Sequence, residues 1–292
     1  MSRGLFSQEQ LARLAEYMQE EGGHPLSIQP RARELIHGEI PLSFAQQRLW
    51  FLDQLQRGSP AYNISVAYRI TSTLNLAALE RSLNQIIQRH EVLRTTFATR
   101  DGQAIQVIAP EYTIQLAVDD LASFPLTHRT EEMQRRATAE AREPFSLVDG
   151  PLLRVRMLQL SAVEQVLLLT AHHVVLDGWS MNLLVQELGA LYNADVRGLP
   201  TPLAPLPVQY ADFAFWQREW LQGEVLTTAL DYWKQQLADV PPVLELPTDR
   251  PRPAVQTFHG ELYNFQLPKT LSQAVKNLSR QEECTLFQTL LA

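Results

Sequence analysis

The sequence predicts an α/β protein, built as an α+β sandwich. Three observations carry this. From Ile40 onward, stretches with apolar residues at helical spacing alternate with stretches of strict apolar–polar alternation. Gln165 to His173 is a near-continuous apolar run of strand length, the pattern of a central strand covered on both faces. Asp101-Gly102 stands between two strand-like runs, a tight-turn signal that predicts a hairpin.

Residues 1–37 read as a separate N-terminal helix and linker. Leu11, Leu14, Ala15 and Met18 recur at spacings of three and four, and the run Gly22-Gly23-His24-Pro25 stops the helix. Ile28 to Arg33 then reads as an extended linker. Ala45–Leu55 is helical through Leu49, Trp50, Leu52 and Leu55. Asn63–Ile70 alternates as a half-buried strand, with Ile64, Val66, Tyr68 and Ile70 on one face. Leu76, Leu79, Leu83, Ile86 and Ile87 line one side of a helix that Asn75 caps. The hairpin Thr95–Ala98 and Ala104–Ile108 follows, then a polar helix over Glu131–Glu143. Leu153, Val155 and Met157 alternate with Arg154 and Arg156 as a strand. Met181–Tyr192 is helical. The proline-rich stretch Gly198–Pro207 marks a stiff, extended crossing. Tyr210–Trp233 is a Trp-rich helical stretch, and Pro247–Pro253 is a second proline-rich crossing. Glu261–Leu267 alternates as a strand. Thr270–Ala292 is helical and ends on an uncapped apolar run, which reads as an incomplete copy of a larger unit.

Composition bounds the function. The chain has 292 residues, about two domains' worth. Apolar residues make up 45% and charged residues 20%, an ordinary globular balance. A net charge of −7 argues against nucleic acid or an anionic membrane as the main partner. The single cysteine, Cys284, excludes a disulfide framework and a cysteine-rich metal site. The start of the chain lacks a signal-peptide core, and no apolar stretch is long enough to span a bilayer, so a cytoplasmic protein is expected.

The chemistry concentrates in Ala171-His172-His173-Val174-Val175-Leu176-Asp177-Gly178-Trp179-Ser180. Neighbouring side chains of a strand point to opposite faces, so the two histidines cannot share one task. One should face the core and the other a cavity, where an imidazole can move a proton near neutral pH. The pair is also compatible with one satisfied core histidine and one surface histidine. A zinc site is disfavoured, because adjacent strand histidines do not converge on one ion. Asp177 can pin an arginine or the turn backbone, and Gly178 lets a ligand chain pass close to the backbone.

His-His-x-x-x-Asp-Gly resembles the active-site motif of the acyltransferase superfamily that includes chloramphenicol acetyltransferase and the condensation domains of nonribosomal peptide synthetases. Ser43–Leu52, Arg89–Phe97 and Tyr210–Trp216 resemble three further condensation-domain motifs, in family order and spacing. The resemblance implies a chloramphenicol acetyltransferase-like lobe over 38–206 that carries the His motif. A second, incomplete lobe of the same kind then begins over 207–292. The implied function is amide-bond formation between a carrier-bound acyl or peptidyl thioester and a carrier-bound aminoacyl acceptor, with an L-configured donor. In this reading His173 holds or deprotonates the amine and His172 supports the fold. Asp177 is structural, paired with Arg48 or Arg94, and Gly178 leaves room for the pantetheine arm. Trp179 packs as core, and Ser180 caps the next helix. Trp50 and Trp216 read as core residues, and Glu91 and Asp212 as surface charges without a role. The implied partners are upstream and downstream peptidyl carrier domains and an adenylation domain of one assembly line. Their phosphopantetheine arms are the only cofactors, with none bound covalently to this chain. Two rival readings are a free-standing acyltransferase that uses coenzyme A or a carrier, and an inactive fragment that serves as an interaction module.

Overall fold

The structure, a computed structural model, describes residues 27–31, 33, 39–243, 245–254, 260, 263 and 265–292. The helix expected over Leu11–Met18 lies outside the described residues. Residues 27–240 form one compact unit, and the segment from Pro241 to Ala292 belongs to another.

The first unit is built on a four-stranded sheet. Its strands are β2 (Asn63–Ile70), β5 (Ala117–Asp120), β6 (Leu153–Gln159) and β7 (Gln165–His172), in the order β2-β7-β6-β5. β7 is antiparallel to β2 and β6, and β5 runs parallel to β6. All eight β7 residues are buried, as the apolar run predicts. A second sheet, in the order β1-β4-β3, holds β1 (Ile40–Pro41), β3 (Thr95–Arg100) and β4 (Gln103–Ile108). The expected hairpin joins β3 to β4, with Asp101 and Gly102 both at positive φ (49° and 79°). That turn needs left-handed backbone, which Asp-Gly supplies at low steric cost.

Helices cover both faces of the larger sheet. α1 (Phe44–Leu55) starts at Ser43 with a capping box to Gln46. α2 (Leu76–Arg89) starts where Asn75 accepts from the Ala78 amide. α3 spans Leu126–Arg142 and α4 spans Gly178–Asp195. The main core joins Leu79, Leu83, Ile86 and Ile87 of α2 and Leu184, Leu188 and Leu191 of α4 to Leu167, Leu169 and Ala171 of β7. A smaller core lies on the alternate parity of the strand. There Val166 and Leu168 meet Leu121, Leu158 and Leu160, with Met133 and Ala137 of α3 against them. Arg154 and Arg156 of β6 share one carboxylate, Glu140 of α3, at 2.7 and 3.2 Å, so a buried charge is compensated from two sides.

The Trp-rich stretch forms two helices, α5 (Tyr210–Trp220) and α6 (Gly223–Gln236), broken at Leu221-Gln222 with Gly223 at φ +56°. α5 is tied to the start of α1: the Phe44 amide donates to Gln217 (2.9 Å), and Arg218 donates to the Leu42 carbonyl (2.8 Å). Trp216 stacks on Trp220 with ring centroids 5.1 Å apart. Trp50 packs against the main core as expected.

In the second unit, α7 (Lys269–Gln281) and α8 (Leu286–Leu291) replace the single helix expected over 270–292. Glu283 at positive φ (50°) breaks the run, and Thr285 caps α8. For the strand expected over Glu261–Leu267, residues 261, 262 and 264 lie outside the described residues, and 265–267 are not in a strand.

Candidate active site

The His-His pair sits at the end of β7 and divides as strand alternation requires. His172 is 3% exposed. Its ring lies between Tyr62 and Phe145, at centroid distances of 6.3 and 6.2 Å. The Val174 amide donates to its Nδ1 at 3.1 Å, which leaves the proton of the neutral ring on Nε2. Burial pushes its pKa down to about 4, and the neighbouring His173 acts in the same direction.

His173 is exposed and opens onto a cavity of about 730 Å³. Its amide donates to the Tyr62 carbonyl at 2.8 Å, which fixes the strand end and so the direction of the ring. The cavity wall is largely apolar. Leu49 comes from α1, Val92 and Leu93 from the short 3₁₀ turn Glu91–Arg94, and Leu183 and Leu184 from α4. Leu206, Val208, Tyr210 and Phe213 close it from the crossing and α5. Polar groups enter it as well, among them Arg48, His90, His173, Asp177 and Gln209, and these can orient a ligand against the apolar wall.

Asp177 lines this cavity as the N-cap of α4, not as the partner of an arginine. One carboxylate oxygen accepts from both the amide and the hydroxyl of Ser180, each at 2.7 Å. The Ser180 hydroxyl, then its amide, holds the Asp177 carboxyl below its usual range. The expected capping role of Ser180 is thereby corrected. Asp177 is the cap, and Ser180, at the third helical position, donates to it. The two arginines expected to pair with Asp177 are placed elsewhere. Arg94 donates to the Ala109 carbonyl and stands 3.9 Å from Glu91. Arg48 lines the cavity and makes no ion pair among the described residues. Trp179 is 78% exposed, which overturns its expected core position. It falls on the outer side of the first α4 turn, whereas Met181 and Leu184 face in. At Gly178 an added Cβ would meet no protein atom within 4 Å, so nothing in the chain itself requires glycine there.

Other residues of the site were not singled out by sequence. His90 lines the cavity and bonds Glu187 through Nε2 at 2.7 Å, and Arg89 shares that carboxylate. Glu91 and Asp212, expected as idle surface charges, are anchors. Asp212 is 2% exposed and pairs with Arg33 at 2.7 Å, while Glu91 pairs with the same guanidinium at 2.8 Å. Burial pushes the Asp212 carboxyl up, but Arg33 and the amides of Gln209 and Arg31 outweigh it and hold it below its ordinary range. Among the described residues, no group of His, Cys, Asp or Glu is placed to hold a metal ion. No helix among them is long and apolar enough to cross a membrane.

A mixed α/β lobe with a buried and a cavity-facing histidine before an Asp-Gly helix start defines the class. The model of the condensation domain family matches residues 36–292, and the chain belongs to that family. Among curated proteins it is 50% identical over 284 residues to one polypeptide of the linear gramicidin synthase of Brevibacillus parabrevis, covering 97% of this chain and 4% of that one. It is 44% identical over 254 residues to phosphinothricin tripeptide synthetase PhsC of Streptomyces viridochromogenes, covering 87% of this chain and 23% of that one. The chain thus spans a small part of the relatives it matches. Among solved structures, the X-domain from teicoplanin biosynthesis, in complex with OxyB, superposes with a TM-score of 0.68 at 30% identity, over 80% of this chain and 50% of that one. The first condensation domain of the CDA synthetase shares the fold, with a TM-score of 0.70 at 21% identity over 86% of this chain and 59% of that one.

Proposed function

We propose that this chain supplies the histidine-bearing side of a condensation site in a nonribosomal peptide synthetase. Residues 38–206 form the lobe with the His motif, and 207–292 open a second lobe. The reaction joins a carrier-bound acyl or peptidyl thioester, with an L-configured donor residue, to a carrier-bound aminoacyl acceptor. The observation that carries this reading is the split between the two imidazoles: one buried and hydrogen-bonded through Nδ1, the other free in an apolar cavity.

A thioester is already activated, so orientation supplies much of the acceleration. The acceptor amine attacks the thioester carbonyl. The new C–N bond forms, the C–S bond breaks, and the surplus amine proton passes by way of His173 to the departing thiolate. His172 acts through the backbone: its Nδ1 fastens the Val174 amide and so the turn that presents His173. Asp177 starts the helix whose N-terminus flanks the cavity, where the positive end of the helix dipole favours a developing oxyanion. Gly178 leaves the space through which a pantetheine arm passes. Upstream and downstream carrier domains deliver the two arms, an adenylation domain loads the acceptor, and the assembly works in the cytoplasm.

The test is amide formation from carrier-bound substrates, with the chain in its native polypeptide context. His173→Ala should lower the rate by about 100-fold or more while the fold persists, the usual scale for loss of a positioned acid–base group. A folded His173→Ala protein that condenses at the wild-type rate refutes the assignment. Donors of L and D configuration in parallel decide the stereochemical part.

A further inference from the structure

Ile28 belongs to the cavity wall, yet it lies in a chain segment remote from every other wall residue. Around it Ser27, Gln29, Pro30 and Arg31 are exposed, and Ile28 alone of the five is half-buried. The segment is fastened at its far end by two arginines. Arg31 donates twice to Glu219, at 2.7 and 2.6 Å, and its guanidinium lies 4.7 Å from the centre of the Phe215 ring. Arg33 reaches Asp212 at 2.7 Å and meets Glu91 through two donors, at 2.9 and 2.8 Å. The Arg31 amide donates to the same Asp212 oxygen at 3.1 Å, and the other oxygen takes the Gln209 amide at 2.8 Å.

The two anchors stand in different walls. Glu91 directly precedes Val92 and Leu93, and Asp212 lies between Tyr210 and Phe213; all four neighbours line the cavity. Gln209 joins the same two walls, accepting from the Glu91 amide at 3.1 Å and donating to the Arg89 carbonyl at 2.9 Å. Arg33 therefore acts as a staple across two walls and holds the strap that carries Ile28. An extended strap gains little from its own backbone, so ordering it requires such fixed contacts. A charge pair with one partner fully buried is costly unless its geometry is complete, which it is here.

We infer that Ile28, held in place through Arg31 and Arg33, is a specificity-determining part of the cavity wall. Ile28 limits the apolar bulk accepted beside the strap, and Arg33 is the positioning residue that keeps Ile28 there. This rests on the reading of the cavity as an acyl-thioester site, but its test needs no turnover. The probes are pantetheine thioesters of graded acyl size, from acetyl to branched and decanoyl, titrated calorimetrically into the full 292-residue chain. Ile28→Ala should favour the bulky probes over acetyl-pantetheine by about tenfold relative to wild type, the low end of what a few methylenes decide in a pocket. Ile28→Phe should shift the order the opposite way. Arg33→Ala should follow Ile28→Ala, with Arg33→Lys between it and wild type, a graded response that a general loss of stability does not produce. Circular dichroism confirms the fold of each variant, and Ile28→Phe keeps the test decisive if the alanine variant unfolds. An unchanged size order in the Ile28 variants, or no probe binding to wild type, overturns the inference. Amide formation by His173→Ala in the native polypeptide context tests the catalytic assignment separately: a normal rate there, together with a shifted size order in the Ile28 variants, removes that assignment and leaves the strap standing.

Discussion

Acid should destabilise this protein through His172, and the effect can be sized. The ring is buried, hydrogen-bonded through Nδ1 and held with a pKa of about 4, against 6.5 for a free imidazole. Below pH 6.5 the unfolded chain takes up a proton that the folded chain refuses. Stability from this group is therefore intact above pH 6.5 and is lost as the pH falls toward 4. At about 1.4 kcal/mol per pKa unit, the full loss is roughly 3 kcal/mol, and about 2 kcal/mol of it is gone by pH 5. Carboxylates such as Asp177 and Asp212, both held below their ordinary range, add to acid lability nearer pH 4. A variant separates the contributions. His172→Asn keeps an acceptor in reach of the Val174 amide but cannot titrate. Urea unfolding between pH 7.5 and pH 5, extrapolated linearly to water, should show the wild-type advantage over this variant shrinking by about 2 kcal/mol. Parallel stability curves for the two proteins over that range refute the reasoning. So would an NMR titration in which the His172 ring protonates near pH 6.5.

Three further outcomes follow from the contacts. Asp177→Ala removes the cap of α4 and strands the Ser180 amide, and should cost about 1 kcal/mol in chemical denaturation, with Asp177→Asn recovering most of it. Asp212→Ala leaves Arg33 without its buried partner and should destabilise the first unit by about 3 kcal/mol, a loss visible as a lower urea midpoint. Trp179→Ala should change unfolding free energy by less than about 0.5 kcal/mol, because the ring is exposed; a larger loss shows that the side chain is packed after all.

Local pattern made much of this fold legible. The caps at Ser43 and Asn75, the Asp101-Gly102 turn and the buried strand at Gln165 each depend on residues within a few positions of one another. Strand parity likewise separated His172 from His173. The features that escaped depend on partners distant in sequence or on competition within one turn. β5 has four residues, one of them half-buried, so alternation has no length in which to register. Asp177 and Ser180 both cap helices well, and only backbone geometry decides between them. Trp179 is large and apolar, yet its angular position on α4 points it outward. Glu91 and Asp212 lie 58 and 179 residues from Arg33, and no local window reveals that one guanidinium binds both.

The strand that presents the two histidines is apolar on both sides, so hydrophobicity alone cannot tell it which way up to lie. A slip of one position would keep its greasy side chains under cover and simply exchange the two rings. What forbids the exchange is the backbone at its end, where the amide of residue 172 meets the Leu152 carbonyl and that of residue 173 meets Tyr62. Which imidazole faces solvent is thus chosen by main-chain pairing, these two contacts and the ladder to β2 and β6 that they extend, and not by any difference between the two side chains.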